Sequence, residues 1–121
     1  MSLNYSLITI QEFLEKKGYS RIERGLVVFG GKNNGTVDLK ATKEDMTKSI
    51  IIEIKDNPVH IIDLSHFLSI KRNIEAHNPG EQLIFYLLTT DKETSRQLKD
   101  IAKTKGIIII NIDEFLNMKT I

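Results

Sequence analysis

One short segment of the chain is nearly all isoleucine and then ends in a charged pair. Ser49 to Lys55 reads Ser-Ile-Ile-Ile-Glu-Ile-Lys, and Asn57-Pro58 breaks it. A strand that is apolar at successive positions, rather than at alternate ones, is typical of a strand buried on both faces. Leu83 to Thr89 is a second strand of this apolar kind. The two segments predict a sheet that helices cover on both sides.

Apolar spacing predicts three helices and three more strands around these two segments. The first helix is Ser6 to Lys17, and Gly18 ends it. The second is capped near Asp63 and is marked by Leu64, Phe67, Leu68, Lys71 and Ile74. The third begins with the capping-box spacing of Thr90 to Glu93 and continues through Leu98, Ile101 and Ala102. The strands are Arg21 to Phe29, Thr36 to Thr42 and Ile107 to Ile112, and Asp113 to Leu116 adds a terminal turn. The order αβββαβαβ predicts an α/β fold in one domain, residues 1–121, with an antiparallel three-strand meander continued by parallel strands.

Composition limits the classes of function. The 121 residues contain no cysteine, which excludes disulfides, thiolate metal sites and cysteine nucleophiles. Apolar runs are too short to span a bilayer, and the first residues do not resemble a leader, so we expect a cytoplasmic protein without membrane contact. With 17 basic and 16 acidic side chains, the net charge of +1 provides no global cationic field for nucleic acid.

Three charged residues on neighbouring strands have the chemistry of phosphodiester hydrolysis. Asp38 follows Gly35-Thr36-Val37, and its alternation with Val37 and Leu39 predicts that it lies on the more polar face of its strand. Glu53 and Lys55 are two residues apart, so on a strand their side chains share a face. Carboxylate oxygens suit Mg²⁺ or Mn²⁺, which stabilise charge on a phosphate and lower the pKa of a bound water. A lysine can hold the attacking hydroxide or add positive charge at the scissile phosphate.

This pattern resembles the PD-(D/E)XK, or restriction-endonuclease-like, nuclease superfamily, and within it the Mrr-like catalytic domains. The resemblance runs from Gly18 to Leu116. Its motifs are Gly30-Gly31 before Gly35-Thr36-Val37-Asp38-Leu39, then Ile52-Glu53-Ile54-Lys55 and Pro58-Val59, then Thr89-Thr90-Asp91, and finally Gly106-Ile107 before Asp113-Glu114-Phe115-Leu116.

The resemblance implies a restriction-endonuclease-like mixed sheet flanked by helices and a metal-dependent DNA endonuclease. Asp38, Glu53 and the carbonyl of Ile54 would be ligands of Mg²⁺ or Mn²⁺, and Lys55 the catalytic lysine. One such domain cuts one strand, so cutting both strands of a duplex implies a homodimer or a partner protein. A structure-specific enzyme of the Holliday-junction-resolvase type is an open alternative within the same superfamily.

The sequence also departs from the family pattern. Many relatives have a glutamate in the first helix, where this chain has Ser6 and Leu7, and a glutamine in the helix that aligns with Ser65. Glu12 and Glu15 match that glutamate only if the helix has shifted. A catalytically weak or inactive module that binds nucleic acid or a protein partner is therefore a second hypothesis, and a structural domain with an incidental ion pair is a third.

Several other residues are weaker candidates. Lys32, Asn33, Lys40 and Lys71 are candidates for contacts with the nucleic-acid backbone. His60, His66 and His77 have no metal-ligand spacing, and of the three only His66 is expected near the site.

Overall fold

A computed structural model describes residues 3–28, 35–45, 47–56 and 58–121 of the chain. It contains the elements α1 Leu3–Lys16, β1 Tyr19–Val28, β2 Gly35–Lys43, β3 Ser49–Lys55, α2 Ile61–His77, β4 Leu83–Thr89, α3 Arg96–Thr104, β5 Ile107–Asn111 and α4 Ile112–Leu116. The predicted order of elements is confirmed, and the expected terminal turn is the short helix α4.

The five strands form one mixed sheet in the order β1-β2-β3-β4-β5. The pairs β1–β2 and β2–β3 are antiparallel, and the pairs β3–β4 and β4–β5 are parallel. A meander followed by two helical crossovers explains this change of direction, because a parallel strand needs a long connection while an antiparallel strand does not. The predicted α/β architecture with a mixed sheet is confirmed.

Strand β3 is buried on both faces, as its composition predicted. Ile50, Ile52 and Ile54 belong to a core with Ile10 and Leu14 of α1 and Phe115 of α4. Ile51 belongs to a second core, on the other face, with residues of α2 and α3 that include Phe67, Leu98 and Ala102. The odd-numbered positions of β3 therefore face α2, and Glu53 and Lys55 continue that row.

Strand β2 changes face at Asp38, which simple alternation did not predict. Val37 packs in the core beside α2, whereas Leu39 packs in the core beside α1. In the β1–β2 ladder, Arg24 pairs with Leu39 and Leu26 with Val37, and Gly25 between them on β1 has φ of +60°. A left-handed residue is easily adopted by glycine and reorients the strand. Asp38 thus lies at the position where the buried face of β2 changes.

Helix α3 begins later than the sequence pattern predicted. Its N-cap is Ser95, whose Oγ accepts a hydrogen bond of 3.1 Å from the backbone N–H of Leu98. At and just before the expected capping segment, the Asp91 carboxylate and the Thr89 hydroxyl instead accept bonds from backbone N–H groups two residues later. Such local bonds stabilise turns and compete with helix initiation. The predicted start at Thr90 to Glu93 was wrong because these side chains make turns.

The described part of the chain contains no helix that is both long and apolar enough to cross a bilayer.

Substitutions on β3 and β5 test this arrangement. Ile51→Ala should lower the free energy of unfolding by about 2–5 kcal/mol, because the side chain is fully buried and leaves a cavity. Ile108→Ala is the matched control, since Ile108 lies on the edge strand and is 41% exposed. Urea denaturation should show a much smaller loss for the control. Equal losses would contradict the assignment of β3 as the central buried strand.

Candidate active site

Asp38 and Glu53 lie side by side where the ladder between β2 and β3 ends. They are the next residues along the two strands after the pair Leu39–Ile52. Asp38 Oδ2 accepts a hydrogen bond of 2.7 Å from the backbone N–H of Ile54, which holds the carboxylate against β3. The change of face at Asp38 and this bond together bring the first two predicted site residues into contact.

Glu53 and Lys55 open into one pocket between β3 and α2. The pocket has a volume of about 250 Å³, and its lining includes Thr36, Glu53, Lys55, Asp63 and His66. The backbone of Lys55 is held in the sheet by its pairing with Thr89 and by a bond of 3.2 Å from Thr90 N–H to its carbonyl. The spacing of Glu53 and Lys55 on a buried strand therefore does direct both side chains to the same side.

Asp63 is a site residue that the sequence indicated only as a helix cap. Its Oδ1 lies 3.0 Å from Lys55 Nζ, and its Oδ2 accepts a bond of 2.9 Å from the backbone N–H of His60, the N-cap of α2. Burial alone would raise the pKa of Asp63, but the His60 N–H and the Lys55 ammonium outweigh it and hold the pKa below its usual value. The capping pattern in the sequence predicted the position of Asp63 but not its contact with Lys55.

Burial at the end of β3 makes the charged form of Glu53 costly. Removal from water, followed by the hydrogen bond and the negative charge of Asp38, raises the pKa of Glu53 to about 9, although Lys55 and the Ile54 N–H act in the opposite direction. Two adjacent carboxylates without a cation cannot both ionise easily, so one of them keeps its proton. The repulsion between the carboxylates of Asp38 and Glu53 depends on the close approach of β2 and β3.

The donor atoms at this position fit a hard divalent cation. Asp38 and Glu53 offer carboxylate oxygens, Ile54 lies between Glu53 and Lys55 with a backbone carbonyl, and a cation would offset the repulsion between the two carboxylates. Among the described residues, no group of three or more His, Cys, Asp or Glu side chains could hold an ion. Two carboxylates suit Mg²⁺, which commonly takes its other ligands from water and substrate phosphate.

Of the candidates for nucleic-acid contact, Lys40 and Lys71 pair with glutamates other than Glu53. Lys32 and Asn33 fall outside the described residues. Lys40 Nζ lies 3.6 Å from Glu81, which also binds Ser49 at the opposite end of β3 from Glu53. Lys71 Nζ lies 2.9 Å from Glu75 and 5.2 Å from the ring centre of Phe85, and its side chain is 14% exposed. Their predicted contacts with nucleic acid stay predictions.

Of the three histidines, His66 lies at the site. It lines the same pocket as Glu53, while His60 is the N-cap of α2 and lines a neighbouring pocket. His77 Nδ1 bonds to the carbonyl of Asn73 at the other end of the helix. Glu12 and Glu15 are on α1, which covers the opposite face of β3 from the one that Glu53 extends.

Comparison with solved structures identifies proteins of the same fold. A protein of unknown function, AF1548, is 20% identical with a TM-score of 0.71 over 91% of this chain. A repair endonuclease from Pyrococcus abyssi is 16% identical with a TM-score of 0.62 over 88% of this chain. EndoMS, in a structure with double-stranded DNA, is 12% identical with a TM-score of 0.52 over 88% of this chain. No protein-family model and no curated protein matches the chain.

The chain spans only part of each of these proteins, 58% of AF1548 and 43% of each of the other two. At these identities the likeness shows the fold alone. Placement within the Mrr-like group stays a prediction. The arrangement of Asp38, Glu53 and Lys55 thus belongs to a domain whose fold is shared with these three proteins.

The protonated state of Glu53 has a consequence for stability. Between the usual pKa of 4.5 and the folded value of about 9, the unfolded chain loses this proton while the folded chain keeps it. The contribution of Glu53 to the free energy of unfolding is therefore fully present below its usual pKa and is lost as the pH rises through its pKa in the folded protein. With a chelator present, Glu53→Gln should raise the melting temperature at about pH 8, because glutamine is neutral in both states and takes up no proton on folding.

The control is Glu75→Gln, which removes an exposed glutamate and should keep the native pH dependence. Thermal melts of the three proteins across a pH series provide the measurement. A Glu53→Gln protein that melts below the native one throughout the series would show that Glu53 is stabilised as an anion.

Proposed function

We propose that this domain is a Mg²⁺- or Mn²⁺-dependent DNA endonuclease. The observation that supports this most is the contact of two carboxylates, from Asp38 and Glu53, where Glu53 lines a pocket together with Lys55. The fold is shared with a repair endonuclease and with EndoMS. An ordinary strand-end ion pair would not need a second carboxylate pressed against the first, because that contact is unfavourable without a cation.

Asp38, Glu53 and the Ile54 carbonyl would hold the ion in this proposal. The bond from Ile54 N–H to Asp38 keeps one carboxylate oriented before any ion arrives, so less freedom is lost on binding. When bound, the ion would supply stabilisation of the charge that develops on the phosphate and a lower pKa for the attacking water. Glu53 would give up its proton to the solvent as the ion binds.

Lys55 would act on the phosphate or on the attacking water. Its ammonium is on the same side of β3 as Glu53, so it can donate hydrogen bonds to a phosphate oxygen or hold the nucleophile beside the carboxylates. The phosphodiester carries a negative charge throughout the reaction, and a fixed cation stabilises the additional charge of the transition state. This role needs the lysine side chain to be held in place.

The proposed substrate is DNA, and one domain would cut one strand in each event. Cutting both strands would require a homodimer or a partner protein. An Mrr-like enzyme and a junction-resolving enzyme are both forms of this proposal, and contacts from Lys32, Asn33, Lys40 and Lys71 to the phosphate backbone remain part of it.

A second candidate is a module that binds nucleic acid or a protein partner without cutting. The observation in its favour is that Ser6 and Leu7 stand where many members of the resembled family have a glutamate, while Glu12 and Glu15 are on the helix over the opposite face. Such a domain would keep the fold and lose turnover.

Cleavage assays test the nuclease proposal. Labelled linear, single-stranded, supercoiled and four-way-junction DNA should be cut only with Mg²⁺ or Mn²⁺, and Asp38→Ala and Glu53→Ala should each lower the rate at least about 1000-fold, since the ion contributes several kcal/mol. Lys16→Ala, at an exposed lysine in the last turn of α1, should retain cleavage as the lysine control, while Lys55→Ala should lose it. Absence of cleavage by the folded, metal-saturated native protein would favour the binding module.

Metal binding can be measured without cleavage. An ion that binds only the folded state raises the melting temperature, with a stabilisation of about 2.7 kcal/mol at 100 times its Kd. The native protein and Lys55→Ala should both show the increase with Mn²⁺, and Asp38→Ala should not. An equal increase in Asp38→Ala would place the ion elsewhere on the protein.

A further inference from the structure

The sheet fixes the backbone of Lys55, but the side chain is long and flexible. Its ammonium therefore has a defined position only where another group holds it. The sheet fixes the main chain through Thr89 and the Thr90 N–H. The side chain is 42% exposed and has four rotatable bonds, which leaves many positions for the charged end. Within the described residues, the carboxylate paired with it is that of Asp63, at 3.0 Å.

The two carboxylate oxygens of Asp63 make different contacts. Oδ2 accepts the His60 N–H at the start of α2, and Oδ1 faces Lys55. A residue that served only as a helix cap would need just the first contact. The Asp63 side chain is 17% exposed, so the helix backbone and the surrounding pocket keep it in place, and the oxygen toward Lys55 is fixed relative to α2.

We infer that Asp63 is the positioning residue for Lys55 and ties the reactive ammonium to the first turn of α2. This inference rests on the proposed nuclease function for its catalytic consequence, while the contact itself does not. A lysine held within the pocket meets the scissile phosphate in a fixed geometry, and a displacement of about 1 Å can lower a rate about 100-fold. Asp63 carries a negative charge close to the expected position of an anionic substrate, so it also weakens substrate binding.

The two effects act in opposite directions on kcat and KM. Loss of the negative charge should lower kcat, because Lys55 is no longer held, and should leave KM for DNA unchanged or lower, because repulsion of the phosphate is reduced. A lower KM together with a lower kcat would distinguish this role from a merely structural one. General destabilisation lowers the amount of active enzyme without improving substrate binding.

Asp63→Asn is the variant that isolates the charge. Asparagine keeps an oxygen that can accept the His60 N–H, so helix α2 retains its cap, but its other group is an amide donor that cannot pair with an ammonium. Asp113→Asn is the matched control. Asp113 is also in the first turn of a helix and lies 3.9 Å from a lysine, Lys92, and its loss should leave Lys55 unaffected.

The first measurement needs no catalysis. Limited acylation of the full chain by an amine-reactive succinimidyl ester, followed by mass spectrometry of peptides, gives the rate of modification of each lysine. Asp63→Asn should increase the rate at Lys55 about two- to fivefold, as expected for loss of an ion pair, and Asp113→Asn should not. An unchanged rate at Lys55 in a folded Asp63→Asn protein would overturn the inference.

The second measurement is the kinetics of DNA cleavage with Mg²⁺. Asp63→Asn should lower kcat about 10- to 100-fold with KM no higher than native, and Asp113→Asn should match the native protein. Unchanged kcat would overturn the positioning role. If the native protein cuts no DNA, the proposed function fails, and the acylation result alone decides whether Asp63 holds Lys55.

Discussion

Burial of β3 on both faces is the constraint on which the rest of the molecule depends. Isoleucines that alternate between two cores require a helical layer on each side, and α1 with α4 and α2 with α3 supply them. Polar groups are tolerated only where the apolar run ends, because a charged side chain within it would have no water and no partner. The position of Glu53 and Lys55 follows from this requirement.

The carboxylate pair and the lysine are held by different parts of the fold. Asp38 is oriented by a backbone group of the neighbouring strand, after β2 changes face opposite Gly25. Lys55 is oriented by Asp63, which belongs to the helix that crosses from β3 to β4. The acidic half of the site therefore depends on the antiparallel sheet, and the basic half depends on the docking of α2.

Much of this arrangement could be predicted from local sequence signals. The isoleucine run identified the central strand, and the two-residue spacing of Glu53 and Lys55 identified their common face. The face change of β2 could not be predicted from alternation, because Val37 and Leu39 pack in different cores although they are two residues apart. The late start of α3 was missed because Thr89 and Asp91 form turns. The contact from Asp63 to Lys55 was missed because the capping signal concerns only the helix's own backbone.

The sheet has consequences for the order in which the site forms during folding. Asp38 and Glu53 are on strands joined by a short connection, so they can meet once that loop closes, whereas the parallel pairing of β3 with β4 waits for a whole helix to fold and dock. Sequence separation therefore predicts that the two carboxylates approach each other before the hydrophobic layers are complete. Because the partner of Lys55 is on α2, we expect the lysine to become ordered after the carboxylates.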